Sequence, residues 1–286
     1  MSKNNVMKEL ELYREGIQKL TSIPLVKEVR FYESAASTND CAKADIRAGK
    51  TAGGSLYVAD MQTAGKGRTG RSFSSPSGTG IYMSLTVREE LLPEAFPLLT
   101  IVAAVAVSNA LDKICEVVSH IKWPNDILIA GENGELKKTV GILTEAVGDT
   151  AVIGIGINVN NKSFPAELIH AGSLYTVTGR EYERSGIVEG VMKELDAMVP
   201  ELVKNGNLSF LKSEYDTKLV SLNREVSVIP LEETLKSKDT GGLDAGDCFT
   251  CLGIDDYGAL VLEDRDGIVT RVNSGEVSLR GLKGYV

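Results

Sequence analysis

The stretch between residues 60 and 80 restricts the fold of this chain more than any other. It follows an apolar, strand-like run at 55–59 and contains GKGRTGR at 65–71, which satisfies the phosphate-binding spacing G-x-G-x-x-G. In a dinucleotide-binding or P-loop fold, such glycines lead into a helix whose N-terminus faces phosphate. Here they lead into SFSSPSGTG, where proline and glycines oppose a helix. The sequence therefore disfavours both nucleotide-binding folds and predicts a long loop.

This loop carries three cations close together, Lys66, Arg68 and Arg71. They repel one another unless an anion is bound, and the glycines between them let backbone N–H groups turn toward that anion. A solvated basic loop is the simpler alternative. We favour a loop that is open when empty and closes over a polyanion, which would exclude water from the chemistry beneath it.

Helices and hairpin-connected strands are mixed irregularly through the first 220 residues, which predicts an α+β fold and not a regular β-α-β sheet. After residue 224, short strands separated by glycine and aspartate turns predict a small β-barrel. We therefore expect a helical extension at 1–27, a large domain at 28–222 with a mixed sheet flanked by helices, and a barrel domain at 223–286. The polar stretch 231–247 between two barrel strands is predicted to be a hairpin loop.

Composition limits the class of partner and the location. A formal net charge of −8 over 286 residues argues against a dedicated nucleic-acid binder. The longest apolar run, 98–107, is too short for a bilayer span, and the N-terminus lacks the features of a signal peptide. We expect a cytoplasmic protein with no membrane contact. Cys248 and Cys251 form a C-x-x-C pair in a strand-like run without further ligands, and we interpret them as ordinary strand cysteines.

Three further stretches stand out as candidate sites. KWPND at 122–126 places the only tryptophan and a rigid proline before two polar residues; it is either a corner between strands or a ligand-facing turn. KKTVGILTE at 137–145 reads as a strand in which Lys138 shares a face with Val140 and Ile142, either reaching out to solvent or facing a ligand.

IGIGINV at 153–159 is the third stretch. Gly154 and Gly156 leave open space on one face of a strand, either for tight packing or for a ligand, and Asn158 shares that face. An asparagine there can donate to and accept from an adenine edge. Neither of the two histidines, His120 and His170, lies in a catalytic motif, so the chemistry should depend on charge neutralisation and positioning.

Taken in order, these stretches resemble the biotin protein ligase family (biotin–[acetyl-CoA-carboxylase] ligases). The matching motifs are Ser37-Thr38-Asn39, Gln62 to Arg71, Ser75-Pro76, Lys122 to Asp126, Lys138 to Leu143, and Gly156-Ile157-Asn158. The C-terminal run from 253 to 280 resembles the family's C-terminal, SH3-like barrel. Any one motif is weak evidence, but six in the same order are strong evidence.

The resemblance implies an ATP-dependent ligase that forms biotinyl-5′-AMP and transfers biotin to a lysine of a biotin carboxyl carrier domain. It implies biotin, ATP and Mg²⁺ as ligands, with Lys138, Arg68 and Lys66 as catalytic cations. The biotin-binding residues would be Ser37, Thr38, Asn39, Gln62, Gly65, Lys66, Gly67, Arg68, Lys138, Gly141 and Gly156. The ATP-binding residues would be Arg68, Arg71, Trp123, Asn125, Asp126, Lys138 and Asn158, with Asp126 also the expected metal ligand.

The sequence departs from the family pattern in two respects. Lys66 stands where the family has the first arginine of the loop; it keeps the charge and loses the bidentate fork, so we expect weaker retention of the adenylate. Bifunctional members carry an N-terminal helix-turn-helix domain of about 60 residues, whereas residues 1–27 leave room for one helix. We therefore expect a ligase that does not bind DNA. A homodimer is an open expectation.

The sequence is also compatible with two alternative functions. A lipoate–protein ligase shares the fold and the adenylation chemistry but needs a longer apolar tunnel. A regulator that binds biotin or its adenylate without transferring it would share the pocket and lack the transfer reaction.

Overall fold

The structure is a computed structural model that describes residues 3–88, 91, 95–131, 133–230, 247–273 and 277–281. Its larger sheet has seven strands in the order β1-β2-β3-β7-β6-β5-β4. These are β1 Glu28–Tyr32, β2 Ser55–Ala59, β3 Gly80–Val87, β4 Ser119–Lys122, β5 Asp126–Ala130, β6 Leu136–Val147 and β7 Thr150–Asn158. Only the β1–β2 pair is parallel; the other neighbours are antiparallel. The expected mixed sheet is thus confirmed.

The strand that precedes the glycine-rich loop continues into an antiparallel partner. β2 pairs with β3 in the register Leu56↔Leu85 to Ala59↔Tyr82, and the loop joins the two strands. The loop itself contains only a short 3-10 turn, Arg68–Gly70. This hairpin connection explains why the G-x-G-x-x-G spacing does not produce a βαβ unit here, since a parallel crossover would require a helix between the strands.

Helices cover both faces of this sheet. α2, Thr38–Arg47, packs on β2, β3 and β7, where Ala42, Tyr57 and Val152 form a small buried cluster. The remaining helices are α1 Lys3–Gln18, α3 Leu98–Cys115, α4 Leu174–Thr178, α5 Arg184–Asn205 and α6 Lys212–Lys218. The main core lies between the sheet and α1, α3 and α5. It buries aliphatic side chains from all of these elements, which provides most of the hydrophobic stabilisation.

Of the helices in the described part of the chain, α3 alone has the length and apolar character that a membrane span requires, and 72% of it is buried inside the protein. It lies against α5 and the sheet, which is the position of a core helix. The helix begins at Leu98, the first residue of the apolar run 98–107.

The second sheet has five strands in the order β11-β10-β9-β8-β12. They are β8 Glu225–Pro230, β9 Cys248–Ile254, β10 Leu260–Glu263, β11 Val269–Val272 and β12 Val277–Gly281. All its pairs are antiparallel, as expected for a small barrel module. The predicted hairpin loop at 231–247 lies outside the described residues except for Asp247. The two sheets occupy the predicted large and small domains, while the exact boundary at 222/223 stays a prediction.

Several hydrogen bonds connect the second sheet and its turns to the rest of the protein, and two of them involve side chains near the larger sheet. The indole N–H of Trp123 donates to the backbone carbonyl of Gly258 at 3.1 Å. The Asp216 carboxylate at the end of α6 accepts the backbone N–H of Ile254 at 2.9 Å. The only tryptophan therefore lies at the junction between the two sheets, where it also lines a cavity.

Candidate active site

A cavity of about 380 Å³ lies on the α2 side of the seven-stranded sheet, beneath the glycine-rich loop. The residues predicted to bind biotin or ATP all line it except Gly65. They come from the loop, the start of α2, the turn between β4 and β5, and the middle of β6 and β7. The structure therefore brings residues of five of the six sequence motifs together at one cavity, while their individual roles stay predictions.

Gly65 lies behind the cavity wall and makes the return of the loop possible. A Cβ at this position would lie 2.3 Å from the Phe73 carbonyl oxygen and 2.7 Å from Ser75 Oγ, so no larger residue fits. The loop doubles back there: the Phe73 N–H donates to Gly65 O at 2.9 Å, and the Gly67 N–H donates to Arg71 O at 2.6 Å. Gly65 therefore has a steric role in the return of the loop, and its predicted contact with biotin stays a prediction.

Part of the cavity lining consists of neutral polar groups held by hydrogen bonds. Gln62 Oε1 accepts the backbone N–H of Thr38 at 2.8 Å and its hydroxyl at 3.2 Å, while Gln62 Nε2 donates to Ser75 Oγ at 3.0 Å. Ser37 is the N-cap of α2, but its side chain makes no capping hydrogen bond. This part of the cavity lining offers hydroxyl and amide groups held in place by neighbouring residues, which suits a neutral polar ligand group.

Asn39 supports the wall of the cavity. Its Nδ2 donates to Glu145 at 2.8 Å and to the Leu143 carbonyl at 3.2 Å, and its Oδ1 accepts from Ser84 Oγ at 2.5 Å. A Cβ on Gly154 would lie 2.2 Å from that Oδ1. Gly154 is therefore required by the packing of Asn39, which was one of the two interpretations of the glycines in this strand.

Lys138 enters the cavity because of a β-bulge, and the expected strand face was wrong. β5 pairs Ile127 with Val140 and Leu128 with Lys138, so Thr139 is the extra residue. A bulge reverses the side-chain alternation beyond it. Lys138 consequently lines the cavity together with Gly141, where a Cβ would lie 3.6 Å from the Lys138 Cε.

The Lys138 ammonium forms an ion pair with Asp126, with 2.7 Å between Nζ and Oδ1. The Asp126 carboxylate also accepts the side-chain amide of Asn125 at 3.1 Å. That amide reaches Ile142 O at 3.0 Å, and the Ile142 N–H donates to Asn125 O at 2.9 Å. The KWPND stretch is thus both a corner between strands and part of the cavity wall, and its Asp126 forms the ion pair with Lys138 of β6.

Arg68 is the loop cation that lies deepest. Its guanidinium donates to Asn125 Oδ1 at 3.0 Å. Burial lowers the pKa of Arg68, the nearby Asp126 charge works in the opposite direction, and Arg71 lowers it further. A partly desolvated guanidinium next to a second one favours a bound anion. Arg71 lies at the exposed edge of the same cavity.

Lys66, the residue that departs from the family arginine, is turned toward α2. Its Nζ lies 2.7 Å from Asp40 Oδ2, and Asp40 also pairs with Lys43 at 3.1 Å. Burial opposes ionisation of Asp40, but the hydrogen bonds from Lys66 and Lys43 outweigh it and hold the pKa of that carboxyl below its ordinary value. Weaker adenylate retention relative to arginine stays a prediction.

Asn158, the last residue of β7, also lines the cavity. Its side-chain amide donates to the Gly172 carbonyl at 3.1 Å. The segment it holds, 164–171, was not predicted as part of the site, and it brings Leu168 and Ile169 to the cavity rim. It is anchored to β6 by the Lys138 N–H, which donates to His170 O at 2.7 Å. No periodicity or motif in this segment signalled the contact.

Phe73 is the second unpredicted contributor. Its ring lies over the strand glycines: a Cβ on Gly156 would be 2.7 Å from Cε1, and one on Gly141 would be 3.4 Å from Cε2. The open space predicted above Gly156 is filled by an aromatic ring from the loop. The pair of glycines was the available signal, since a close approach above a strand requires them.

In the described residues, no group of three or more His, Cys, Asp or Glu side chains is placed to hold a metal ion. Mg²⁺ in nucleotide sites is usually held by one or two carboxylates together with substrate phosphates. The Asp126 carboxylate at the cavity fits that limited role. The assignment of Mg²⁺ to Asp126 stays a prediction.

Comparison with known proteins agrees with this arrangement. Residues 31–160 match the model of the Biotin/lipoate A/B protein ligase family, and residues 250–280 match the biotin protein ligase C-terminal domain. A glycine-rich loop over a cation-lined cavity, on a mixed sheet followed by a small barrel, thus defines a protein of the biotin and lipoate ligase class.

Individual relatives narrow the class. The biotin–[acetyl-CoA-carboxylase] ligase of Mycobacterium tuberculosis is 30% identical over 246 residues, covering 84% of this chain and 85% of the relative. The biotin protein ligase of Aquifex aeolicus, solved in complex with biotin and ATP, aligns with a TM-score of 0.72 at 30% identity, over 89% of this chain and 99% of that one. The chain belongs to the biotin protein ligase family.

A longer relative is also similar. The bifunctional ligase/repressor BirA of Bacillus spizizenii is 36% identical over 234 residues. That alignment covers 79% of this chain and 66% of the relative, so this chain spans about two thirds of that protein's length.

Proposed function

We propose that this protein is an ATP-dependent biotin ligase, which activates biotin as biotinyl-5′-AMP and transfers it to a lysine of a biotin carboxyl carrier domain. One observation carries the proposal. Cations from two separate elements, Arg68 of the loop and Lys138 of β6, line one cavity together with the neutral polar residues Ser37, Thr38 and Gln62. A neutral ring with an anionic tail, joined to a nucleotide phosphate, needs both kinds of lining.

The first step joins two anions, the biotin carboxylate and the α-phosphate of ATP. The carboxylate oxygen attacks phosphorus, and pyrophosphate leaves. Lys138 and Arg68 lower the repulsion between the two reactants and stabilise charge that develops at phosphorus. Bound Mg²⁺ would neutralise further phosphate charge, with Asp126 as its protein ligand. Ser37, Thr38 and Gln62 would orient the ring of biotin, and Asn158 would face the adenine.

In the second step, the carrier lysine attacks the mixed anhydride, an amide forms and AMP leaves. The intermediate hydrolyses if water reaches it, so the loop that carries Arg68 must cover it until the carrier arrives. The neutral polar side chains of Ser37, Thr38 and Gln62 in the cavity lining suit a polar ring better than an extended apolar chain. This supports biotin over lipoate as the acyl substrate.

Pyrophosphate exchange tests the first step. Purified protein is incubated with ATP, labelled pyrophosphate and either biotin or lipoate; exchange with biotin alone is expected. A carrier domain is then added to test the second step. Exchange with lipoate only would assign the chain to the lipoate ligases. Biotin exchange without labelling of the carrier would indicate a regulator that holds the adenylate.

We further propose that the carrier domain belongs to a carboxylase, that the protein is cytoplasmic and that it forms a homodimer. We also propose that it does not bind DNA, which the acidic charge of the chain supports.

A further inference from the structure

One buried ion pair holds both ends of the glycine-rich loop. Asp60 directly follows β2, where the loop begins, and Gly80 opens β3, where the loop ends. Arg184 Nη1 lies 2.7 Å from Asp60 Oδ1 and donates to the Gly80 carbonyl at 3.0 Å. The side chains of Arg184 and Asp60 are only 8% and 4% exposed. A single guanidinium therefore bridges the start and the end of the loop.

The Asp60 carboxylate makes further contacts with the last turn of the loop. It accepts the backbone N–H of Gly78 at 3.1 Å and the hydroxyl of Ser77. The Asp60 backbone N–H donates to Tyr32 O at 2.9 Å, which ties the same residue to β1. Charge-assisted hydrogen bonds of this kind are stronger than neutral ones. The stem of the loop is thus fixed to the sheet, although its tip extends over the cavity.

The N-terminal helix shields this pair from water. Arg184 is the first residue of α5, and its guanidinium carbon lies 4.0 Å from the ring centroid of Tyr13 in α1. Tyr13 is itself buried in the core. A cation over an aromatic face is attracted by the ring, and more strongly when water is excluded. α1 thereby contacts the base of the loop through one side chain.

We propose that Asp60 and Arg184 are positioning residues, whose buried pair clamps the stem of the loop so that Arg68 returns over the cavity, with Tyr13 covering the clamp. The inference rests on the proposed function only in assigning the closed loop to adenylate retention. A loop whose ends are held has less conformational freedom to lose when it closes. Loosening the stem should therefore speed loss of the intermediate without touching a ligand-contacting residue.

The main test is the charge-balanced double variant Asp60→Leu/Arg184→Met, because exchanging both members of a buried pair for apolar residues avoids an isolated buried charge. The matched control is Glu189→Leu/Lys193→Met. It removes an exposed ion pair of the same 2.7 Å separation on the same helix. Thermal unfolding of both variants is recorded alongside the functional measurements.

The first readout is the rate of tryptic cleavage after Lys66, Arg68 and Arg71 in the ligand-free protein, which reports the loop alone. The second is the dissociation rate of biotinyl-AMP. In the clamp variant we expect cleavage at least fivefold faster and adenylate loss at least tenfold faster, with the control unchanged. A folded clamp variant with wild-type values for both would overturn the proposal. Failure of the wild-type protein to form the adenylate would instead reject the proposed function, and the cleavage result would still stand.

If the double variant does not fold, two milder variants test whether the Asp60–Arg184 pair positions the loop. Ser77→Ala keeps the ion pair and removes one loop contact, and Tyr13→Leu removes the aromatic cover. Each is expected to raise loop cleavage and adenylate loss about twofold to threefold. If both variants fold and neither changes either rate, the clamp has no role in loop positioning.

Discussion

Lys138 shows how a single residue acquires its role from its surroundings. Its ammonium is paired with Asp126 at 2.7 Å, and the bulge at Thr139 turns both the lysine and Gly141 toward the cavity. The pair keeps the cation in place before the anionic substrates enter. An exposed lysine on a flexible stem would have to be ordered during the reaction, at a cost in entropy.

The first prediction concerns this cation. Lys138→Met should lower the rate of biotin-dependent pyrophosphate exchange by about 10²–10³, as expected for loss of one preorganised electrostatic group. Lys193→Met is the control, since it removes an ion pair of the same 2.7 Å length on the outer surface of α5. An exchange rate within about threefold of wild type in Lys138→Met would contradict the assignment of Lys138.

Asp40 supports the second prediction, because it holds Lys66 and its pKa is lowered. A carboxyl with a lowered folded-state pKa stabilises the fold above its ordinary pKa and loses that effect only as the pH falls through the lowered value. Between pH 5 and 9 Asp40 should therefore stay ionised and able to pair with Lys66. Adenylate dissociation should show no transition attributable to Asp40 in that range.

Asp40→Asn should raise the dissociation rate by a constant factor across that pH range. The factor should not exceed about fivefold, because exposed ion pairs contribute roughly 0.2–1 kcal/mol, and the Lys66 side chain is 46% exposed. The measurement is release of labelled biotinyl-AMP. A wild-type rate that climbs toward the Asp40→Asn value between pH 7 and pH 5 would show that Asp40 titrates there and refute this prediction.

At the scale of elements, β7 combines two requirements on one face. Gly154 accommodates Asn39 and Gly156 accommodates the Phe73 ring, as their neighbouring atoms show. Two glycines, two residues apart, therefore serve different purposes. One permits buried packing between a strand and α2, and the other permits the loop to approach the sheet.

The third prediction separates them. Gly154→Ala places a methyl group against the buried Asn39 amide and should reduce the free energy of unfolding by about 1–3 kcal/mol. Gly156→Ala should leave the unfolding free energy closer to wild type, because Phe73 belongs to a loop that can shift, and should weaken biotin binding at least tenfold. Calorimetric titration with biotin and chemical denaturation of both variants measure the contrast. Equal stability losses with unchanged biotin affinity would show that both glycines serve packing alone.

At the scale of the whole molecule, the cavity and the barrel meet at Trp123. The same residue lines the cavity and donates its indole N–H to Gly258 of the barrel. The predicted role of Trp123 in binding ATP thus coexists with a role at the junction. The turn between β4 and β5 therefore contacts both the cavity and the barrel.

The fourth prediction tests that junction. Trp123→Phe keeps an aromatic ring and leaves the Gly258 carbonyl without its buried donor, which should lower the free energy of unfolding by about 1–3 kcal/mol. Tyr257→Phe is a suitable control, since Tyr257 precedes Gly258 and is 69% exposed. Urea denaturation followed by circular dichroism compares the two. A loss as large in Tyr257→Phe would show that the effect does not come from the indole hydrogen bond.

Most of the elements could be predicted from the sequence because their signals are local. The strand-like run at 55–59 is an apolar segment bounded by glycine and polar residues, and the structure has β2 at Ser55–Ala59. The residues of the cavity were found through ordered motifs. Glycine spacing, a rigid proline and isolated polar residues in apolar strands mark such positions before any contact is known.

By itself, the sequence determined the α+β class, the absence of a βαβ unit at the glycine-rich loop, and most of the polar and charged residues predicted around the cavity. Only the tertiary structure decided which way Lys138 points, what fills the space above Gly156, and that Arg184 reaches Asp60 across more than a hundred residues of chain. These features depend on strand register and on contacts between distant segments. Register shifts reverse a side chain's face, and a buried pair exists only after both partners have been brought together, so neither leaves a local pattern in the sequence.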